Sequence, residues 1–366
     1  MQLPKAHWKF ILDFHMLSIL MLIAVIPCLL GTWWLFSSYQ DYSLEAQGAN
    51  LAEAADMAFT YLNTYLGNQI IEITGITEVP VLRDTIEKKN LDLNRDLTKV
   101  HNEIVDIASR WRSLDYKSPE LRAVLDNPAS EYLRRYASVR PSYREIIVTD
   151  FLGRTVAATG KTTDYHHAND AWWNEAYAGG QKGAIYVGDI HYNDGSKIYS
   201  FDMAVPFVDD KGGVMGVIMV GIDAQEIHSL IGSLRTSFGS TATLIRGDGR
   251  VISAPVYSYA DRQTFPNAPE ILSAKEKGKR HIISQSEPRT IYGVQSRNLQ
   301  ELYPHLNWIL TISSPVGTVV KPLINLRRNV VLLILAVVAV TFLVTLLLSS
   351  VESKPVLEED AHLEQL

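Results

Sequence analysis

Two uninterrupted apolar runs frame the chain. Met16 to Phe36 reads MLSILMLIAVIPCLLGTWWLF, and Val330 to Leu348 reads VVLLILAVVAVTFLVTLLL, neither with a formal charge. About 20 helical residues cover roughly 30 Å of hydrocarbon, so each run predicts a membrane-spanning helix. Lys5, His7 and Lys9 precede the first run as they would in a secretory signal. Signal h-regions are shorter, however, and no small-x-small cleavage site follows closely. Trp33, Trp34 and Tyr39 stand where aromatic side chains gather at a membrane interface, and Pro27 and Gly31 are tolerated within such helices. The first run is therefore expected to be an uncleaved anchor.

After it, Leu44, Leu51, Ala55, Ala58, Leu62 and Leu66 recur at helical spacing, with Glu45, Glu53 and Asp56 on other faces. This stripe predicts a stalk helix continuing out of the membrane. The charged stretch up to about Tyr136, including LDLNRDLTKVHNEIVDIASRWRSL, keeps the helical period. The pattern changes at Arg144. EIIVTD and RTVAATG are short β-branched runs around a Gly153 turn, and HANDAWWNEAYAGG predicts a short helix ended by glycines. AIYVGDIHY, KIYSFDMAVPFVD and VMGVIMVGID follow as three strands, giving a compact α+β unit. TATLIRGDGRVISAP then repeats the strand, Gly-Arg turn, strand opening of IIVTDFLGRTVAATG, which implies one internal duplication. The second copy closes with RTIYGVQSR and WILTISSP as strands, and VGTVVKPLINLRRN predicts a helix leading into the second apolar run.

Charge adds an orientation. The positive residues of the short N-terminal tail favour the cytoplasm, which would send the segment between the runs across the membrane. Arg327 and Arg328, on what would be the outer side of the second run, work against that assignment, but the first helix usually dominates. A net charge of -6 disfavours nucleic acid as a partner. The single cysteine, Cys28, lies inside the first apolar run, so the outer segment can form no internal disulfide and depends on its core.

The anchor, long helix, tandem α+β units and returning helix resemble the double Cache family of extracytoplasmic sensor domains. Its most specific counterparts here are DAWWNEAYAGG, YVGDIHY, MAVPFVDDKGGVMGVIMVGID, AQEIHSLI and WILTISSPVGTVVKPL. The resemblance implies an α+β fold, with a stalk helix and two PAS-like subdomains flanked by two membrane helices. It divides the chain into a cytoplasmic tail (1–15), a first span (16–36), stalk and helical flank (37–143), and a membrane-distal ligand-binding subdomain (144–236). A membrane-proximal subdomain (237–318), an exit helix (319–329), a second span (330–348) and a cytoplasmic tail (349–366) follow. It implies a homodimer in a cell membrane that binds a small molecule outside and needs no cofactor. The Leu/Ala stripe permits such a dimer, and equally permits packing against the chain's own domain.

Family members that bind amino acids carry tyrosine, arginine, tryptophan, an aromatic residue, a later tyrosine and an aspartate. By resemblance, Tyr165, Trp172, Trp173, Tyr186 and Asp223 fill five of these roles, and Asp170 stands where the arginine belongs. A carboxylate there repels the carboxylate that arginine would grip. Two acids amid four aromatic rings suit a cation, as in the amine-binding branch of the family, so an amine is expected in preference to an amino acid. Each residue also has a structural reading. Asp170 and Asp223 each precede a helical stretch as an N-cap would, and the tryptophans could be core residues.

His166, His167 and His191 show no helical metal-ligand spacing and are expected at the surface. The Gly247 to Gly249 segment is a hairpin turn, since no phosphate-loop pattern surrounds it. No nucleophile elbow, HExxH or kinase signature occurs, so no catalytic activity is expected within these residues. The tail has Val356, Leu363 and Leu366 at coiled-coil spacing, which predicts a helical connector truncated before an output module of unknown type. A membrane-anchored scaffold whose outer domain holds a partner protein is the competing reading.

Overall fold

The computed structural model describes residues 14–91, 97–180, 183–193, 197–234, 239–255 and 263–352. It divides into two compact units, 1–47 with 315–366 and 48–314. The expected connector around Val356 and Leu363 lies outside the described residues.

The first unit is built from the start of helix α1 (Phe14–Thr77) and from α9 (Val316–Glu352). Both helices are long and apolar enough to cross a membrane, with mean hydropathy of 1.7 and 2.1 over their most apolar windows and nothing in those windows buried. Ile23, Leu30 and Trp34 of α1 and Leu333, Val340 and Leu343 of α9 are exposed. Leaving such side chains in water forfeits about 25 cal/mol for each Å² of apolar surface, so these faces need an apolar surrounding. Helix α1 runs through Pro27 without a break.

In the second unit, the rest of α1 is followed by α2 (Pro80–Leu91), α3 (Leu97–Arg110), α4 (Pro119–Leu125) and α5 (Pro128–Val139). Then come β1 (Tyr143–Asp150), β2 (Thr155–Ala158), α6 (Ala171–Tyr177), β3 (Tyr186–Val187), β4 (His191–Asn193), β5 (Ile198–Val208), β6 (Val214–Asp223) and α7 (Gln225–Ser233). The remaining elements are β7 (Thr241–Arg246), β8 (Val251–Ser253), α8 (Ala268–Glu276), β9 (His281–Ile283), β10 (Thr290–Val294) and β11 (Trp308–Pro315). The first sheet has the order β2-β1-β6-β5-β3, with β4 also on β5, and the second the order β8-β7-β11-β10-β9. Counted within each half, both sheets run second, first, last, last but one, third, as the repeated hairpin predicts. AIYVGDIHY, read as one strand, is two short strands interrupted at 188–190, and β9 was not anticipated.

The stalk stripe is internal. Leu51, Ala55, Ala58, Leu62 and Leu66 are buried within the chain itself, so packing against its own domain is what the stripe does here. A Cβ on Gly293 of β10 would fall 2.1–2.2 Å from the backbone of Leu51 and Ala52, so only glycine lets strand and helix approach this closely. Asp56 accepts from the Ser296 amide (2.6 Å) and hydroxyl (2.9 Å) and pairs with Arg280, tying α1 to the second sheet. Tyr136 donates to Glu72 (2.6 Å) and Tyr143 to Gln69 (2.8 Å), tying it to the first.

The two hairpins repeat in sequence but not in environment. Asp150 and Arg154 form a buried ion pair, where burial raises the Asp150 pKa against the pull of Arg154. In the second hairpin Arg246 stands at the position of Asp150, its amide donating to the Arg250 carbonyl, and Arg250 pairs instead with Asp248, at 2.7 Å on the surface.

Candidate functional site

Cross-strand register defines one face of the first sheet. Ile147, Met219, Ala204 and Tyr186 lie side by side across β1, β6, β5 and β3. Thr149, Val217 and Pro206 form the next row on one side, and Glu145, Gly221 and Asp202 the next on the other. Because side chains alternate along a strand, all three rows share a face. Helix α6 covers the apolar rows, with Trp172, Trp173 and Ala176 buried against Ile147, Ala204, Val217 and Met219. The Trp173 indole donates to Thr149 Oγ1 at 2.9 Å. On the opposite face, Ile86 of α2 approaches Gly216.

The Glu145–Gly221–Asp202 row is the chemically unusual one. Asp202 lies within a strand whose neighbouring side chains are mostly buried, and its own side chain is only 15% exposed. Its Oδ2 stands 3.5 Å from His191 Nε2, while Oδ1 is buried and has no hydrogen-bond partner among the described residues. A Cβ built on Gly221 would be 3.5 Å from that Oδ1 and 3.6 Å from Glu145 Cβ, so the glycine leaves the space between the two acids open. Burial pushes the Asp202 carboxyl up to about 6; His191 pulls it down, and Glu145 and Asp170 push it further up. Asn193 donates to Glu145 at 3.0 Å.

Two more of the buried polar atoms without partners among the described residues belong to β5 and to the segment before α6. Ser200 Oγ lies one row beyond Asp202, and His167 Nε2 belongs to a ring packed on Trp172 at a centroid distance of 5.1 Å. His167 Nδ1 bonds to Asp170 at 2.8 Å, and in an uncharged ring that donates through Nδ1 the Nε2 atom is an acceptor. His167 is thus buried, contrary to the surface position expected for it; its bond to Asp170 and its contact with Trp172 compensate for part of the lost hydration.

Of the residues suggested by sequence, Trp172, Trp173 and Tyr186 come together in one cluster, and Asp170 precedes α6, making no side-chain cap bond there. Tyr186 is pushed up to about 12, first by burial and then by Asp202, Glu175 and Asp189. Tyr165 lies elsewhere, packed on Trp111 at 5.1 Å in a cluster with Ile107, Leu121 and Val124. Asp223 is engaged by Arg144 at 2.7 Å and accepts from the Gln225 amide at 2.9 Å. Sequence reasoning missed Asp202, Glu145 and His167. A lone charge inside the apolar run IYSFDMAVPFV was the available signal for Asp202.

Among the described residues, no group of three or more His, Cys, Asp or Glu side chains is placed to hold a metal ion. No protein-family model matches the chain, and no curated protein matches it in sequence. Solved structures align with it at low similarity. The sensory domain of the Campylobacter jejuni chemoreceptor Tlp3 with isoleucine bound aligns at 12% identity and a TM-score of 0.49, over 76% of this chain and 97% of that one. The V. cholerae histidine kinase DctB sensor domain aligns at 15% identity and 0.43, over 76% and 98%. The ligand-binding domain of the Pseudomonas fluorescens chemoreceptor CtaA, in complex with L-alanine, aligns at 11% identity and 0.42, over 74% and 97%. At such identities and scores, nothing about ligand or mechanism passes from them to this chain.

Proposed function

We propose that the chain is a membrane-anchored sensor whose outer domain, two tandem PAS-like modules on a stalk helix, binds a small organic cation between α6 and the first sheet. The carrying observation is Asp202 Oδ1, a buried carboxylate oxygen without a donor among the described residues. A buried acceptor left unpaired costs about 1–3 kcal/mol, more when charged, and an ammonium group would supply the missing donor. Ser200 Oγ and His167 Nε2 are further acceptors for N–H groups, and Glu145 and Asp170 add negative field. Trp172 and Tyr186 offer aromatic faces, each able to contribute on the order of 2 kcal/mol to a desolvated cation. Together with one charged hydrogen bond, such contacts suffice for roughly micromolar affinity. Asp170, Trp172, Trp173 and Tyr186 are the proposed site residues with Asp202 as anchor. Asp223 and Tyr165 frame the module.

Binding would shift the balance between two arrangements of α6 and its flanking loops only to the extent that the cation favours one of them. The two apolar helices would carry the change across the membrane.

The test is thermal unfolding of the full chain in lipid nanodiscs with ethanolamine, putrescine and histamine, beside amino acids and dicarboxylates. The expected result is a rise in Tm with at least one amine that Asp202→Asn abolishes and Asp223→Asn leaves in place. Stabilisation by carboxylates or amino acids alone, or an amine response that survives Asp202→Asn, would overturn the reading.

A further inference from the structure

The outer side of the same site is fastened to the second sheet at two points. Glu175 is on α6, flanked by the residues that bury the helix, Trp172, Trp173 and Ala176. Its carboxylate meets His305 Nε2 at 2.7 Å, and the His305 ring also lies 5.0 Å from that of Tyr186. The second point is Asp189, in the 188–190 break between β3 and β4. Its Oδ1 accepts from the buried Trp308 indole at 2.7 Å, and its Oδ2 stands 3.1 Å from Arg246 Nε. Trp308 and Arg246 are direct cross-strand partners on β11 and β7, so one row of the second sheet grips one carboxylate. Arg246 also donates to the Ile190 carbonyl.

The receiving segment is held firmly. Gly247 donates to the Asn307 carbonyl at 2.7 Å, and a Cβ on Gly247 would overlap the Asn307 side chain. His305, Asn307 and Trp308 thus form a braced lead-in to β11, the strand whose chain continues directly into α9.

We infer that the position of α6 and of the β3–β4 break is relayed to β11 through these two bridges, with Glu175–His305 reporting the helix and Asp189–Trp308/Arg246 reporting the break. A helix that moves while tied through Glu175 must displace His305 or lose that bond. Either way the braced segment and β11 feel it, because packed elements shift between discrete arrangements instead of deforming smoothly. The outer domain then has a route to the membrane through the second sheet that does not depend on the stalk. The inference takes its driving ligand from the cation reading, but the coupling is a property of the protein and can be measured without ligand.

Hydrogen exchange of the full chain in nanodiscs is the measurement. Trp173→Phe removes the indole bond to Thr149 and part of the helix's packing, and so loosens α6. The expected result is faster exchange in α6 together with about fivefold faster exchange at the amides of 305–312, a ratio within the usual range of coupling between sites. In a Glu175→Gln, Asp189→Asn background, the α6 effect should persist and the β11 effect vanish. Equal β11 changes in both backgrounds, or none in the first, would overturn the relay. Should Trp173→Phe fail to fold, His305→Ala alone serves: the relay requires faster exchange in α6, and unchanged exchange there refutes it. Adding putrescine separates the two readings. Protection of α6 without change in β11 sinks the relay and leaves the sensor, whereas no response in α6 counts against putrescine binding and leaves the variant comparison to judge the relay.

Discussion

The two sheets share a strand order yet bury opposite kinds of surface. Beside the apolar rows that α6 covers, the first keeps the row of Glu145, Gly221 and Asp202, in which Asp202 Oδ1 has no partner among the described residues. Beneath α8, the second is closed: Phe265, Ile271, Tyr292, Val294 and Ile309 fill the core. Its polar groups are mutually satisfied, with Tyr292 donating to Asn267 Oδ1 at 3.0 Å and Asn267 Nδ2 donating to Ser284 (3.1 Å) and Ser286 (2.7 Å). A repeated architecture has thus been used once to build a finished core and once to hold an acceptor-rich gap. Completed hydrogen bonds around a buried amide rigidify a module, while an incomplete set lowers its stability and waits for a donor from outside.

The hairpins should show the largest contrast. Arg154→Met strands Asp150 as a buried unpaired acid and should cost about 3–5 kcal/mol in chemical unfolding of the full chain. Arg250→Met, the matching change at the surface pair of the second hairpin, should cost less than about 1 kcal/mol. Similar losses in the two variants would mean that the hairpins do not differ in environment as described.

The acid row should give the next largest effect, opposite in sign to its counterpart. The Asp202 pKa is raised in the folded state, so below the ordinary carboxyl range the native and unfolded chains are both protonated there and no penalty applies. As pH rises from that range through about 6, the unfolded chain releases its proton first, and native stability falls. At pH 7.5, Asp202→Asn should therefore stabilise the chain by on the order of 2 kcal/mol, and the gain should disappear below about pH 4. Asn267→Ala, which breaks the completed network of the second sheet, should instead destabilise it by about 1–3 kcal/mol. Denaturant midpoints across this pH range check both, and a destabilising Asp202→Asn at pH 7.5 would contradict the account of the gap.

The smallest effect separates the two aspartates. Asp223→Asn weakens a partly exposed pair with Arg144 and should cost about 1 kcal/mol or less, whereas Asp202→Asn stabilises. A gain in stability from Asp223→Asn instead would move the gap one row along, to Ser200 and Asp223.

Much of this was legible beforehand, for reasons tied to particular residues. The runs at Met16 and Val330 announce their helices because spanning hydrocarbon demands length and apolarity together. IIVTDFLGRTVAATG and TATLIRGDGRVISAP announce two hairpins because alternation and turn residues are local properties. The stripe from Leu51 to Leu66 announced a buried face, but a period cannot say what buries it. Gly293 and Asp56 decide that, by bringing β10 and Ser296 against the chain's own helix.

The candidate site divides in the same way. Trp172, Trp173 and Tyr186 were grouped by the family resemblance, and the short helix and nearby strand that carry them hold them in one cluster. That Asp202, and not Asp223, carries an oxygen without a partner among the described residues depends on the neighbour each acid has: Arg144 lies 2.7 Å from Asp223, while His191 stands 3.5 Å from Asp202. Tyr165 left the group for a similar reason, since Trp111, more than fifty residues earlier, supplies its packing surface. Local order, the length and apolarity of the two long helices and the likeness of the two hairpins follow from side-chain type and spacing along the chain. The unsatisfied carboxylate, the fate of the stripe and the bridges from Glu175 and Asp189 follow from distances between residues far apart in sequence, which only packing sets.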